Sequence, residues 1–454
     1  MSIQLQLVNA PLLPGYQKSS RTGTYPPLSI ASLAGFVMAH DPTPEVELID
    51  GELIGIADIC SRLDADVVGI SCNIMTYGPA LDIAKAAAAK GSKVILGGPF
   101  PTSMPKTILK NRSYVDAVVV GDGEVALSEY LRGVPPSSIA NLCFREGKEI
   151  IQNDESIVSF DGLPLPTYLN LPLQQYFQNY GHRYAEYKPF RGSLAIYSRK
   201  GCIWRNASNG GCVFCMIPHK GIRYKKPKAL WDEIVFFRQA CGVNFFWEVS
   251  DTFTENSRWI EEFVQTMPAG LDVAFSVYAR ASNISERLAR QLRELSVYEV
   301  FIGAESGDDE ILRRMKKGIT VEQTRHAVRI LSTEGIKIIL SFVFGLPGET
   351  SGSIQRTVNL AHELSQWPGV VETSSSILLP IPGSTAFDML MTIPGMAAKH
   401  GCDLLDLDGL KLDWIKYFTD TSPDELEFAL HQTLEMFPLN STFSQKQTQS
   451  APMC

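Results

Sequence analysis

The chain contains no apolar run approaching the ~20 residues needed to cross a bilayer as a helix. Its opening, MSIQLQLVNAPLLPG, has neither the basic region nor the cleavage site of a signal peptide. These absences argue against a spanning helix and a secretory leader, and predict a cytoplasmic protein. A basic surplus is also missing: 41 lysines and arginines stand against 49 aspartates and glutamates, a formal net charge of -8. Nucleic-acid binding by phosphate neutralisation needs a basic footprint, so a small molecule or peptide is the expected partner. Nor is there a disulfide framework, because nine cysteines are scattered through a leaderless chain of 454 residues. Cys60, Cys72, Cys143 and Cys241 lie in apolar stretches and read as small buried hydrophobes. Cys454 ends a polar tail, residues 441–454, whose composition predicts disorder.

What is present suffices for a large core, since 45% of the residues are hydrophobic. Over residues 1–150, short apolar runs alternate with helical stretches. IQLQLVNAP, VELID, ADVVGISC, SKVILGGPF and DAVVVGDGE read as strands, the later ones nearly continuous in apolar residues, as in a parallel sheet buried on both faces. The unit predicted is a doubly wound, Rossmann-like α/β domain with ligands at the carboxyl ends of its strands. Next, ANLCFREGKEIIQNDESIVSF reads as a β-hairpin and DGLPLPTYLNLPLQQYF is proline-punctuated, with the linker placed at residues 151–190. Residues 191–390 repeat strand and helix six times, which predicts a (β/α)6 partial barrel with its site at the carboxyl ends of the strands. Residues 391–440 form a small helical region. Its last helix should be capped by Ser422, with Pro423 at the first turn and Glu425 three residues after the serine. Cys402 and Trp414 are noted there, with core packing the expected role.

The strongest chemical signal is GCIWRNASNGGCVFCMIPHK, where Cys202, Cys212 and Cys215 form a C-x9-C-x2-C array with Phe214 before the last cysteine. Three thiolates on one loop can anchor a metal centre. A closed zinc site wants four ligands, and His219 could supply the fourth, so a Cys3His zinc site is the alternative. Polar residues stand at the strand ends around this loop: Glu248, Ser250 and Asp251; Ser276, Tyr278 and Arg280; Glu305 and Ser306. Singly each reads as a turn or cap residue. Their convergence on one barrel mouth beside three cysteines points to an active site.

The pieces TYPPLSIASLAG, VELIDGE, DVVGISCNIMT, ILGGPFPT and VVVGDGE resemble the cobalamin-binding domain of one group of radical S-adenosylmethionine enzymes. The cysteine loop, the basic GIRYKKP after it, YARAS, GAESGDDEILRRMKKG and SFVFGLPGET resemble the catalytic barrel of that group. The resemblance covers roughly residues 1–390. It implies a [4Fe–4S] cluster on Cys202, Cys212 and Cys215, with S-adenosylmethionine on the fourth iron. Arg280 is then suited to its carboxylate, Glu248 or Ser250 to its amino group and Glu305 to the ribose hydroxyls, with Phe214 also in its binding site and the backbone of Phe344, Gly345 and Leu346 along the adenine. Cobalamin would lie against Gly97 and Gly98, with Ser71 and Thr76 facing its nucleotide tail and Gly121 and Glu124 on the same edge. The loop motif D-x-H-x-x-G is absent and His40 sits in MAHDP, so cobalamin would bind without a histidine ligand; an empty structural domain is the alternative. The cysteine spacing exceeds the usual C-x3-C-x2-C by six residues, with WRNASNGG as the insertion. The implied activity is reductive cleavage of S-adenosylmethionine, fed by a one-electron donor such as flavodoxin or ferredoxin, to methylate a carbon. A radical enzyme without methylcobalamin and a non-catalytic iron–sulfur sensor are the rival readings.

Overall fold

Strands β1 (Gln4–Asn9), β2 (Glu45–Asp50), β3 (Val67–Ser71), β4 (Lys93–Gly97) and β5 (Ala117–Val119) pair in parallel in the computed structural model, which describes residues 3–13, 22–168, 170–183, 190–206, 210–217, 221–401 and 405–437. His219, Cys402 and Cys454 lie outside the described residues. The sheet order is β2-β1-β3-β4-β5, continued by β6 (Leu142–Glu146) and β7 (Glu149–Gln152), which are antiparallel. Runs such as VVGIS are buried through most of their length because helices, among them Leu28–His40 and Tyr77–Ala89, lie between consecutive strands. The order reverses at β1, whose Asn9 is in register with both Asp50 of β2 and Ser71 of β3. That switch point is where sheets of this kind take ligands.

The expected hairpin forms, but it extends this sheet and does not begin a linker. The stretch expected to be linker, residues 151–190, belongs to the same compact unit and contains a helix, Leu173–Arg183. Its Tyr176 is fully buried and donates its hydroxyl to Asp50 Oδ2 at 2.6 Å, while Asn170 bonds both the N–H and the C=O of Leu48 at 3.0 Å. Prolines mark the approach to the helix; the aromatic payload of LQQYFQNY decides that it folds against the domain.

The second sheet comprises β8 (Ser193–Ile196), β9 (Phe245–Glu248), β10 (Ala274–Ala279), β11 (Val297–Glu305), β12 (Lys337–Phe344) and β13 (Val370–Ile377). Its order is sequential from β13 back to β8, with parallel registers for β10/β11, β11/β12 and β12/β13. This is the strand–helix repeat of a partial barrel. Helices Val321–Thr333 and Ser351–Ser365 start from capping boxes built by Thr320 with Gln323 and Thr350 with Ser353.

Beyond β13, helix Pro423–Leu434 starts as expected, Ser422 Oγ accepting from Glu425 N at 3.2 Å. It packs on β13, where Thr433 accepts from Thr373 Oγ1 at 2.5 Å and donates to Ser375 Oγ at 2.8 Å, so the appendage covers the outer strand of the sheet. Two compact units result: residues 1–196, 216–246 and 394–405, and residues 197–215, 247–393 and 406–454. Neither is a continuous stretch of chain. Among the described residues no helix is long and apolar enough to cross a membrane.

Candidate active site

The cysteine loop leaves β8 and is held from below by the end of β9. Glu248 Oε1 accepts from Ser198 N at 2.8 Å and from the hydroxyl of Ser250, whose Oγ accepts in turn from Arg199 N at 3.0 Å. Asp251 accepts from Gly201 N at 2.9 Å. One further carboxylate, not singled out from the sequence, completes the support. Glu255 accepts from Ile203 N at 3.0 Å and pairs with the buried Arg199 at 2.7 Å, while the Cys202 thiol donates to its Oε1 at 3.4 Å. Three acidic residues, Glu248 at the end of β9 and Asp251 and Glu255 on the segment after it, therefore fix the backbone that carries the first cysteine.

The other two cysteines sit in a tight turn, Cys215 N donating to Cys212 O at 3.1 Å. Val213 between them donates to Met315 O and accepts from Ala386 N, both at 2.9 Å. Burial, then Glu255, pushes the Cys202 thiol up to about 11. Burial, then Cys212, Asp251 and Cys202, pushes Cys215 up to about 12. The thiols are thus close enough to resist ionising together, yet among the described residues no three His, Cys, Asp or Glu side chains gather as around a single ion. Bound iron would offset the cost of ionising them.

Around this loop the structure gathers Phe214, Glu305, Arg280 and a residue missed in the sequence, Lys317. Glu305 ends β11 at φ +63°, beside a register shift between Gly303 and Glu305 that turns its side chain inward. There it pairs with Lys317, 9% exposed, at 2.5 Å. Burial works against the lysine's charge, but Glu305 and then Cys212 outweigh it and hold the ammonium above its usual range. Lys317 Nζ also lies 5.9 Å from the centre of the Phe214 ring. Arg280 donates to the carbonyl of Lys317 and stacks its guanidinium 4.8 Å from the Trp204 ring. The only sequence signal for Lys317 was the basic pair in MKKG, and charge pairs are usually solvated.

Phe344, the last residue of β12, and Leu346 are fully buried, so their side chains belong to the core. Gly345 adopts φ +76°, and Gly345 N and Leu346 N donate to Glu349 Oε2 at 2.5 and 3.3 Å. Trp414, as buried as expected, donates its indole N–H to Gly345 O at 2.8 Å. Among the described residues of this unit, two carboxylates have a buried oxygen without a hydrogen-bond partner: Glu248 Oε2 and Glu349 Oε1. Burial raises the pKa of both, Glu349 to about 8. An ammonium group fits the Glu248 oxygen and would lower its cost.

In the first unit the edge residues divide. Gly97 is open: a Cβ there would meet only Val119, at 4.0 Å. Gly98, at φ +104°, could not carry one, because it would lie 2.5 Å from Cys72 O. Gly121 is also open, Glu155 being 3.9 Å from its Cβ position. This glycine-lined ledge fits a large flat ligand. Ser71 Oγ lies 3.4 Å from Ser29 Oγ. Thr76, in contrast to its expected role, is turned into its own loop, its Oγ1 accepting from Asn73 N at 2.9 Å as part of a capping box. Glu124 is buried at the start of helix Glu124–Leu131. The basic stretch after the cysteines is consumed by pairing: Arg223 with Asp122, Lys225 with Glu233, and Lys226 with Asp161 at 3.2 Å.

The B12 binding domain family matches residues 18–131, and the Radical SAM superfamily matches residues 203–361. An uncharacterised methyltransferase of Pyrococcus horikoshii is 28% identical over 383 residues, covering 80% of this chain and 78% of that protein. An anaerobic magnesium-protoporphyrin IX monomethyl ester cyclase of Rubrivivax gelatinosus is 25% identical over 365 residues, 75% of this chain and 62% of that one. The radical S-adenosylmethionine methyltransferase TsrM from Kitasatospora setae, solved with cobalamin and a [4Fe–4S] cluster, shares the fold at a TM-score of 0.63 and 18% identity, covering 87% of this chain and 77% of its own. The chain therefore combines a B12-binding domain with a Radical SAM domain, the pairing that implies a [4Fe–4S] cluster, S-adenosylmethionine and cobalamin as cofactors.

Proposed function

We propose that the enzyme methylates a carbon atom of a small molecule or peptide, with Cys202, Cys212 and Cys215 holding the cluster. The observation that carries the reading is the pairing of an open glycine ledge in a B12-binding domain with a cysteine loop ringed by buried acids. When bound, the cluster supplies the electron that breaks a carbon–sulfur bond of S-adenosylmethionine, and cobalamin carries the methyl group. The chain's own residues hold and orient. Glu248 Oε2 takes the ammonium of S-adenosylmethionine, and Ser250 keeps the other carboxylate oxygen occupied. The Glu305–Lys317 pair offers a carboxylate to the ribose hydroxyls while its lysine faces the last two cysteines. Arg280, braced against Trp204, keeps guanidinium N–H groups for the carboxylate of S-adenosylmethionine. Gly97 and Gly121 leave room for the corrin, and Gly98 keeps the two strand ends packed beneath it.

An external one-electron donor of the flavodoxin or ferredoxin kind reduces the cluster, and the protein works in the cytoplasm. The test is anaerobic turnover of the reconstituted enzyme. Methylation requires both 5′-deoxyadenosine and S-adenosylhomocysteine; absence of S-adenosylhomocysteine sinks it. The similarity to a ring-forming cyclase supports a second reading, radical cyclisation, which would give 5′-deoxyadenosine with no S-adenosylhomocysteine.

A further inference from the structure

We infer that Lys317 is a positioning residue that supplies a fixed positive charge to the cysteine loop, that Glu305 holds its ammonium there, and that this charge raises the reduction potential of the cluster. The inference goes beyond the proposed methylation and rests on the reading of Cys202, Cys212 and Cys215 as the cluster ligands. Helix Asp309–Arg314 runs into a turn, Met315–Gly318, in which Lys316 and Gly318 take left-handed φ values of +57° and +68°. Three successive carbonyls of that turn are taken up by the site. Met315 O accepts at 2.9 Å from the N–H of Val213, the residue after Cys212. Lys316 O accepts from Trp204 Nε1 at 2.7 Å, and Lys317 O accepts from Arg280 Nη2. The backbone of Lys317 is thus bonded to its surroundings by the same loop that carries the thiols, and its flexible stem starts from a fixed point.

The ammonium then has a prepared place. Lys317 Nζ lies 2.5 Å from Glu305 Oε1 and 5.9 Å from the centre of the ring of Phe214, the residue before Cys215. Gly303 leaves the space: a Cβ there would lie 2.2 Å from Glu305 Oε1 and 2.7 Å from Lys317 Nζ. Stability gives no reason for the pair, because replacing a buried ion pair by well-packed apolar residues is often neutral or stabilising. Nor is the charge confined to Glu305, since it favours the ionised form of Cys215, and Cys212 in turn favours the charged lysine. The acids act in the opposite sense, Glu255 on Cys202 and Asp251 on Cys215. When an external one-electron donor is oxidised, the electron it loses adds one negative charge to the cluster, and no bond of the protein forms or breaks. A cation beside the thiols stabilises that reduced form more than the oxidised one, so it raises the potential.

The test follows the electron paramagnetic resonance of the reduced cluster through an anaerobic redox titration of reconstituted wild type, K317M, K317R and E305Q, without S-adenosylmethionine. Iron and sulfide per chain and circular dichroism are the controls for loading and folding. At the wild-type midpoint, the ratio of reduced to oxidised cluster in K317M should be about tenfold lower, a downward shift of about 59 mV for one electron. K317R, which keeps the charge, should stay within about twofold of wild type. E305Q breaks the same pair but leaves the ammonium, so its ratio should not fall. A wild-type ratio in loaded K317M overturns the inference, as does a tenfold fall in K317R or in E305Q, which would assign the effect to disturbed packing. If K317M does not fold with Glu305 left unpaired, K317Q replaces it, because its amide can still donate to Glu305; the same tenfold fall is expected, and a wild-type ratio overturns the inference. C212A separates the two readings. A cluster retained in C212A defeats the ligand assignment, whereas C212A empty beside a loaded K317M of wild-type potential defeats the role of Lys317 alone.

Discussion

The carboxyl edges of the two sheets solve opposite problems. At the edge of the first, two buried aspartates are taken up internally: Asp50 accepts from Asn9 Nδ2 at 2.7 Å, Tyr176 Oη at 2.6 Å and Glu52 N at 3.0 Å, and Asp122 is taken up by Arg223. What it offers a ligand is shape, through Gly97 and Gly121. At the edge of the second sheet, Glu248 and Glu349 are 1% and 0% exposed, and each keeps one oxygen unbonded. An unsatisfied buried acceptor costs roughly 1–3 kcal/mol, so it persists where a ligand repays it. The first edge is built to fit and the second to bind charge.

Removing a thiol should have the largest effect. C212A is expected to lose the iron–sulfur absorption and at least 10³-fold of S-adenosylmethionine cleavage, measured as 5′-deoxyadenosine formed, while cobalamin still binds; loss of both cofactors together would blur the division between the edges. Next in size is E248Q, which removes a charge-assisted hydrogen bond worth roughly 1.5–3 kcal/mol and so weakens S-adenosylmethionine binding about 10- to 100-fold by calorimetry. Burial raises the Glu248 pKa, and an ammonium prefers the carboxylate. Wild-type affinity should therefore rise with pH, and that rise should vanish in E248Q.

The first edge is tested by two neighbouring glycines. G97V places bulk on the open ledge, so it should lower cobalamin affinity about tenfold with little change in melting temperature. G98A puts a Cβ against Cys72 O at a left-handed φ, so it should destabilise the apo-protein by about 1–3 kcal/mol. Equal effects of both on stability would show that the ledge is merely packed.

The smallest effect expected is that of E349Q. Burial raises the Glu349 pKa to about 8, above its unfolded value, so the native state holds a proton that the unfolded chain releases. Its contribution is complete at low pH and is lost as pH rises through about 8. Melting temperature should therefore fall between about pH 4.5 and pH 8 in wild type, level off above that, and fall less in E349Q.

Much of this was legible in the chain. Apolar runs bounded by glycine announced both sheets, and the thiol array beside polar strand ends announced the site. Lys317 and Glu255 were not legible, because a lysine in MKKG and a glutamate in DTFTEN carry no periodic signal; their roles come from what faces them. Thr76 misled for the converse reason, since a threonine at a strand end serves a ligand or its own cap equally well until the Asn73 turn is seen. Residues 151–190 misled because proline marks where a helix cannot run and says nothing about where aromatics will pack.

The sequence alone determined the order of strands and helices, the number of thiols and the sign of each charge at the strand ends, because hydrophobic period and residue chemistry are local properties. Only the tertiary structure decided which carboxylates are satisfied, which glycine is open, and that Lys317 faces Glu305. Those depend on distances between residues far apart in the chain, and the chain fixes them only once it is packed.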